Sequence, residues 1–318
     1  MSKPKHISSE QMKKEPEFKH YLKKYWALYA MMVIPIIYFI IFKYGPMIGN
    51  VLAFRRYSPG KGPWGVEWVG LHYFRRLFKD KSFWRAFRNT IVLSALNILV
   101  NFPIPIIFAI LLNEVHNKYY KKFVQTISYL PRFISTVVVI AIMNELLAPT
   151  TGILNLFLQD KFGLPPTIYM QEAEYFRPLY VLSSTWQYTG WTAIIYMAAI
   201  TGISPDLYEA AEIDGAGRLQ NIIYITLPSI LPTVMVMLIL EVGRLLSLGF
   251  EKVLLMYSPA NSEVSDILDT LVYRIGMGPG GKNYSYATAI GLFTGVVGVI
   301  LVTSSNHLSK KLTDTSIY

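Results

Sequence analysis

The stretch "SPDLYEAAEIDGAGRLQNIIYITLP", residues 204–228, is a polar insert between two long apolar runs. Ser204 before Pro205 is typical of a helix start, with serine as the N-cap and proline at the first helical position. Gly215 and Gly217 then predict that this helix ends at a turn. The pattern therefore predicts a short helix on a membrane surface that is joined at both ends to membrane-spanning segments.

The composition of the chain supports a membrane protein. Of its 318 residues, 53% are hydrophobic and 16% are charged, whereas a soluble domain carries about 25% charged residues. The chain contains six long apolar runs, and the least regular of them, residues 123–147, is interrupted by Arg132 and Glu145. Each run is long enough to cross a hydrocarbon core of about 30 Å. The six runs are residues 25–42, 89–113, 123–147, 178–205, 219–240 and 283–309. We predict an all-α, polytopic membrane protein with six transmembrane helices.

The segments outside the runs predict how the chain is organised. We expect a basic tail (1–24), a transmembrane domain (25–309) and a short C-terminus (310–318). The tail is polar and has seven lysines, which argues against a cleavable signal peptide and favours a cytoplasmic N-terminus. Lysine and arginine are nearly equally abundant in the segments expected on the two sides of the membrane, however, so charge alone does not fix the orientation of the chain.

The first external loop, residues 44–88, carries nine lysines and arginines. Phe74, Leu77, Phe78 and Trp84 recur at near-helical spacing, which predicts an amphipathic helix in the membrane interface. The charges have two interpretations. They anchor the loop to lipid headgroups, or they favour an acidic substrate such as a uronate oligosaccharide. The net charge of +10 lies mostly beside spans, so we expect no nucleic-acid partner.

No pattern in the sequence predicts catalysis or a metal site. Cysteine is absent, and the five histidines are scattered. The segment "GMGPGGKN", residues 276–283, resembles a phosphate-binding loop, but Asn283 stands where such a loop needs Ser or Thr to hold Mg²⁺. A flexible loop before the last span is the better interpretation. We therefore expect no cofactor on this chain and ATP hydrolysis, if used, on another polypeptide.

Polar and aromatic residues in or near the spans are candidates for a substrate path. Aromatic faces beside amides or charges suit sugar rings, although packing is the common role of aromatic residues in a span. The candidates are Gln187, Tyr188, Trp191, Ser247, Phe250, Glu251 and Lys252.

Other spacings predict internal contacts. Glu241 and Arg244 are three residues apart, which predicts an ion pair on one helix face. Asn97, Asn101 and Asn144 are expected to form hydrogen bonds between helices. The prolines of "NFPIPII" (101–107) predict a kink or an unwound turn, and Gly291, Gly295 and Gly298 allow another helix to approach closely.

The polar insert also resembles a known signature. Glu209-Ala210-Ala211, three residues, Gly215, nine residues, and then Ile225-x-Leu227-Pro228 is similar to the EAA signature of the membrane subunits of binding-protein-dependent ABC importers. Further segments, among them "YGPMIGNVLAFRRYSP", "QTISYLPRFIS" and "GFEKVLLMYSPAN", resemble the maltose-type oligosaccharide permeases. The resemblance is greatest to the subfamily that serves complex or acidic oligosaccharides such as alginate or rhamnogalacturonan fragments.

The resemblance implies a type I ABC importer permease fold in the bacterial inner membrane, with both termini cytoplasmic. Residues 203–228 would form the coupling loop, whose helix docks on an ATPase. The implied coupling residues are Glu209, Ala210, Ala211, Glu212, Asp214, Gly215, Leu227 and Pro228. The implied partners are a second homologous permease, with a heterodimer favoured, two ATPase subunits that bind ATP and Mg²⁺, an external solute-binding protein and an oligosaccharide.

Two other classes remain open. A secondary transporter driven by an ion gradient would need no ATPase but would show an internal repeat, which the sequence lacks. A membrane scaffold that transports nothing would have no polar residues directed into a cavity.

Overall fold

The computed structural model describes residues 18–313 except 59, 63, 65–66 and 280–281. The chain divides into two compact units, Met1–Val51 and Leu52–Tyr318. In the first unit, residues 1–17 of the predicted basic tail lie outside the described residues. Its helices are α1 (Phe18–Lys24), α2 (Trp26–Phe39), a π-helical turn (Ile40–Tyr44) and α3 (Gly45–Met47). Neither α2 nor α3 buries a side chain within the chain.

The second unit is also helical in its described part. A 3-10 helix (Ile48–Phe54) leads into it from the first unit. The helices that follow are α4 (His72–Lys79), α5 (Lys81–Asn101), α6 (Pro103–Asn113), α7 (Lys118–Tyr129), α8 (Thr136–Leu146), α9 (Ile153–Phe162), α10 (Ala173–Thr201), α11 (Pro205–Ile213), α12 (Arg218–Asn221), α13 (Leu227–Gly243), α14 (Phe250–Met256), α15 (Ser262–Ser265), α16 (Leu268–Gly276) and α17 (Tyr284–Thr313).

Four helices of the described chain are long and apolar enough to cross a membrane. They are Trp26–Phe54, Lys81–Asn113, Arg218–Gly243 and Tyr284–Lys311. A fifth span arises if the pair Lys118–Phe133 and Thr136–Leu146, bent by 99°, crosses as one. The predicted span 178–205 falls on α10, which has 29 residues but is too polar to be among them. The predicted count of six is therefore not confirmed.

Prolines mark the breaks in two of these spans. α5 ends at Asn101, and α6 restarts at Pro103 after one residue. Proline lacks an N–H and fits the first helical position, so the helix is interrupted at Phe102, although Lys81–Asn113 still forms one span. In the bent pair, a 3-10 turn with Pro131 follows α7, and α8 then begins after its N-cap Ser135, whose hydroxyl accepts from the Val138 N–H at 3.4 Å.

The predicted amphipathic helix 74–84 is two helices. α4 ends at Lys79, and the Asp80 carboxylate caps α5 by accepting the Ser82 N–H at 2.8 Å, so Trp84 belongs to α5. The other Asp80 oxygen accepts the Tyr286 hydroxyl at 2.6 Å, and the Arg76 guanidinium lies 4.5 Å from the centre of the Tyr286 ring. α4 is thus fastened to α17, and one of the nine loop cations has a structural role.

α10 is central to the second unit. Its buried side chains recur at three- and four-residue spacing, so they form one stripe along the helix. Phe176 and Tyr180 pack with Leu93 of α5 and Val253 of α14. Further along α10, Ala193, Tyr196 and Ile200 form a second cluster. They pack with Ala109 and Ile110 of α6 and with Ile230 of α13.

Glycines allow two close helix contacts. A Cβ at Gly190 would lie 2.1 Å from the Ser128 carbonyl oxygen of α7, and one at Gly243 would lie 2.7 Å from Val302 of α17. The glycines predicted to allow a close helix approach take part in neither contact. A Cβ at Gly291, Gly295 or Gly298 meets nothing within 4 Å. These three residues line an open groove of about 650 Å³, so the predicted close approach is not made within the described chain.

The contact at Gly190 can be tested by Gly190→Ala. We expect the added methyl group to push α7 and α10 apart and to destabilise the protein by about 1–3 kcal/mol, the usual cost of overpacking. The measurement is the melting temperature in detergent. Gly49→Ala is the matched control, because a methyl group there meets nothing within 4 Å and alanine favours a helix. An unchanged melting temperature for Gly190→Ala would contradict the close approach.

Candidate functional site

The polar insert forms the predicted short helix, although the Ser204 hydroxyl does not cap it and donates instead to Asp206 Oδ2 at 3.2 Å. Ser204 precedes α11, Pro205 occupies its first position, and no residue of α11 is buried. The side chains of Leu207 and Ile213 are 50% and 87% exposed. A short helix with exposed apolar and acidic side chains is a surface that another protein can contact.

The end of α11 depends on Gly215. Its φ is +80°, a left-handed conformation that glycine adopts without strain. The Gly215 N–H donates to the Glu212 carbonyl at 3.0 Å, and the Ala216 N–H donates to the Ala211 carbonyl at 2.8 Å. This pair of bonds is a Schellman motif, which satisfies carbonyls left open at a helix end.

α11 is also fastened to the next span. After Gly217, whose N–H donates to the Gln220 side chain at 2.7 Å, the chain enters α12 and a π-helical turn. Tyr208 of α11 shares a 2.9 Å hydrogen bond with the Thr226 hydroxyl, and Thr226 is buried directly before α13. Leu227 and Pro228 are the first residues of α13.

A cavity of about 710 Å³ lies among α5, α8, α10, α13 and α14. Its wall mixes aromatic rings with polar and charged side chains. Among the lining residues are Ser94, Asn97, Asn101, Phe102, Arg132, Tyr180, Ser184, Tyr188, Trp191, Thr192, Tyr196, Glu241, Arg244, Ser247, Glu251 and Lys252. Rings beside hydrogen-bonding groups are the chemistry by which proteins hold sugar rings and their hydroxyl groups.

The structure brings most of the predicted substrate-path residues to this cavity. Those that line it are Tyr188, Trp191, Ser247, Glu251 and Lys252. Gln187 and Phe250 do not. Gln187 is buried and donates to the Ile134 carbonyl at 2.9 Å, while the Phe250 ring packs on Tyr273 at 5.3 Å. Their position in the cavity wall does not test whether these residues contact a substrate, so the substrate role stays a prediction.

The predicted ion pair between Glu241 and Arg244 does not form in the described chain. α13 ends at Gly243, and Arg244 has the non-helical conformation of a C-cap, so three-residue spacing no longer puts the two side chains on one face. Both line the cavity instead. Of the three asparagines, Asn101 accepts from Thr185 of α10 and donates to Asn97 at 2.7 Å, whereas Asn144 is exposed and contributes no such bond.

Lys252 is the buried cation of the cavity. Its side chain is 5% exposed, and Nζ donates to the Ser184 hydroxyl at 2.7 Å and to the Tyr180 carbonyl at 3.2 Å. The same Nζ lies 4.8 Å from the centre of the Tyr180 ring. α14 is not among the helices apolar enough to span a membrane, and burial lowers the pKa of Lys252 to about 7.

Sequence analysis missed several lining residues. Arg132 interrupts an apolar run, yet its guanidinium lies 5.1 Å from the centre of the Tyr188 ring. Tyr180 and Ser184 precede the predicted Tyr188 at four-residue spacing, so the three share a helix face. That spacing, and a charge inside an apolar run, were the signals that could have found them.

α10 and α13, which line the cavity, are also the two helices that flank α11 in the chain. α10 supplies Tyr180, Tyr188 and Tyr196 to the wall and leads into α11 through residues 202–204. α13 supplies Glu241 and begins at the turn that Tyr208 contacts. α11 is therefore connected to both walls of the cavity, through the chain on each side and through one hydrogen bond.

Among the described residues, no group of three or more His, Asp or Glu side chains could hold a metal ion. The segment that resembles a phosphate-binding loop joins two helices. Gly276 ends α16, residues 280–281 lie outside the described residues, and the Asn283 side chain accepts the Tyr286 N–H at 3.1 Å at the start of α17.

Burial of Lys252 predicts a dependence of stability on pH. An unfolded lysine keeps its proton until about pH 10, whereas the folded one loses it near pH 7. Between these values the unfolded state binds more protons, so the free energy of unfolding rises with pH. We expect Lys252→Met to abolish this contribution in melting curves from pH 7 to 9.5, while the exposed Lys79→Met does not. Equal slopes for Lys252→Met and the unchanged protein would contradict the burial.

Known proteins with this fold and these motifs identify the family. Residues 101–314 match the family described as the binding-protein-dependent transport system inner membrane component. The chain is 47% identical over 291 residues to the polygalacturonan/rhamnogalacturonan transport system permease protein YteP of Bacillus subtilis (strain 168), which covers 92% of this chain and 90% of YteP.

Two solved structures have the same fold. One is a bacterial ABC transporter involved in the import of the acidic polysaccharide alginate, at a TM-score of 0.85 and 43% identity over 94% of this chain and 100% of that chain. The other is the bacterial alginate ABC transporter in complex with an alginate pentasaccharide-bound periplasmic protein, at a TM-score of 0.85 and 42% identity over 95% and 100%. The all-α ABC permease fold is thus confirmed. The chain belongs to the family of inner membrane components of binding-protein-dependent transport systems.

Proposed function

We propose that this chain is the permease subunit of an ATP-driven importer and forms half of the path for an oligosaccharide that carries uronate groups. The observation that carries the proposal is a cavity with aromatic and charged walls, bounded by the two helices that flank α11. The relatives named above serve polygalacturonan or rhamnogalacturonan and alginate, which are acidic polymers. The chain itself is a transport component and not an enzyme.

The charges of the cavity agree with an acidic substrate. Arg132 and Arg244 bring two cations to the wall, and a carboxylate that binds beside Lys252 favours the protonated, charged form of that lysine. The wall also carries the carboxylates Glu241 and Glu251. Tyr188 and Trp191 offer faces to the sugar rings, and the cations offer partners for carboxylates.

α11 is the proposed contact with an ATPase subunit. Its exposed acidic residues, Glu209 and Glu212, are available to basic residues of a partner, and Gly215 sets the turn that presents them. When two ATPase subunits close on ATP and Mg²⁺, they would draw the α11 helices of two permeases together. The cavity would then alternate between two arrangements because the partner binds one of them more tightly.

The proposed contact of α11 with an ATPase subunit also implies the orientation of the chain in the membrane and its other partners. With α11 in the cytoplasm, both termini are cytoplasmic and the loop 44–88 faces outward. A second, homologous permease chain completes the path, with a heterodimer favoured, and an external solute-binding protein delivers the oligosaccharide. The glycine groove of α17 supports a second chain, because small residues let a helix approach closely.

The coupling role can be tested at two neighbouring glycines. Gly215→Val must place a branched side chain at a φ of +80°, at a cost of at least about 1–2 kcal/mol. We expect ATP-dependent uptake and the ATPase activity stimulated by the binding protein to fall about tenfold, with membrane insertion intact. Gly217→Val is the matched control, since its φ of −81° suits valine. Undiminished uptake by Gly215→Val would refute the coupling role of α11.

The substrate class can be tested by uptake into proteoliposomes that contain the whole transporter and its binding protein. We expect ATP-dependent uptake of oligogalacturonate but little of a neutral oligosaccharide of the same length, because only the acidic one pairs with the cavity cations. Equal uptake of the two would contradict an acidic substrate and leave the importer assignment standing.

A further inference from the structure

Four arginines from three helices converge at the end of the bundle that is farthest along α10 from α11. We call Arg85 and Arg88 of α5, Arg177 of α10 and Arg274 of α16 the arginine cluster. Arg177 lies in the first turns of α10, whereas α11 follows its last turn, about 40 Å away along a helix of this length.

One buried carboxylate lies within the cluster. Asp266 is 0% exposed, and its Oδ2 lies 2.6 Å from Nη2 of Arg274 and 3.7 Å from Nη2 of Arg85. Its Oδ1 accepts the Thr270 hydroxyl at 3.0 Å. Asp266 therefore neutralises one cation, and the other positive charges of the cluster are uncompensated.

Arg88 and Arg177 form no ion pair in the described part of the chain. Arg177 Nη2 donates to the Asn89 side-chain oxygen at 3.3 Å, and its buried Nε has no hydrogen-bond partner. Asn89 is itself held by the carbonyls of Glu263 and Asp266, at 2.8 and 3.1 Å. Burial and the neighbouring Arg88 hold the pKa of Arg177 below its usual value.

The cluster adjoins the cavity along α10. Arg177 comes seven residues, close to two helical turns, before the lining residue Ser184, so the two lie on one face of the helix. The nearby carboxylates Glu174 and Glu263 are exposed and pair with none of the four arginines. Like charges held together in a partly buried place repel one another, and an anion that binds there relieves this repulsion.

We propose that the arginine cluster is an entrance site, where carboxylates of a uronate oligosaccharide bind before the sugar rings reach the cavity. This inference rests on the proposed function and extends it to residues outside the cavity wall. The guanidinium fork of arginine matches a carboxylate in two parallel hydrogen bonds. Of the four, Arg88 is exposed and has no internal partner among the described residues, so it is the arginine most available to a ligand. An acidic patch of the binding protein is the competing occupant, but a site between helices and beside the cavity favours the small ligand.

The chain has no cysteine, so a single introduced thiol permits a test of charge. In Arg88→Cys we expect uptake of oligogalacturonate at saturating loaded binding protein to fall about tenfold, the loss of one charge-assisted contact. Aminoethyl methanethiosulfonate, which restores a cation, should restore the rate, while methyl methanethiosulfonate should not. Arg75→Cys is the matched control, since Arg75 is exposed on α4 in the same basic segment and lies outside the cluster.

The outcomes separate the possible roles. Uptake by Arg88→Cys equal to that of Arg75→Cys, or restored equally by both reagents, would overturn the entrance site. A higher binding-protein concentration for half-maximal ATPase stimulation in Arg88→Cys, at an unchanged maximal uptake rate, would also overturn it, because the cluster would then dock the binding protein. If the unchanged transporter accumulates no oligosaccharide with ATP, the proposed function itself fails, which is distinct from a failure at Arg88 alone.

Discussion

The packing of α10 against α5, α6 and α13 is the contact on which the rest of this structure depends. The buried stripe of α10 supplies the core, with Phe176 and Tyr180 toward one end and Tyr196 and Ile200 toward the other. The adjacent face of the same helix supplies the wall of the cavity. This double role explains why α10 is too polar to be recognised as a span by its hydropathy, although its length is sufficient.

Burying a charge in apolar surroundings costs free energy, and this cost explains where the polar groups of the second unit find their partners. Buried polar groups need partners, and here they find them between helices: Asp266 with Arg274, Lys252 with Ser184, and the Asp80 carboxylate with Tyr286. The arginine cluster, where the cations outnumber the carboxylates, and the cavity, where a bound carboxylate favours the charged form of Lys252, both suit an anionic ligand. The two places lie in succession along α5 and α10, as a path for an acidic chain requires.

The polar insert shows how a surface helix can act on a distant cavity. α11 is connected to α10 through a short linker and to α13 through a turn and the bond from Tyr208 to Thr226. The left-handed turn at Gly215 fixes the direction in which the chain leaves α11. Under the proposed coupling, a force on α11 would reach Tyr188 and Glu241 along α10 and α13 without a further relay.

The sequence by itself determined the helical membrane class, the limits of α11 and the turn at Gly215, because these follow from composition, capping and the needs of a left-handed residue. It also indicated the region of the cavity. Tertiary structure alone decided that Gln187 is turned away from the cavity, that Glu241 and Arg244 are separated by a helix end, and that the amphipathic segment is broken at Asp80. It alone brought Arg85 and Arg274 together around Asp266 and placed Arg177 beside Asn89. The reason is that local spacing governs one helix at a time, whereas which faces meet depends on packing between residues far apart in the chain.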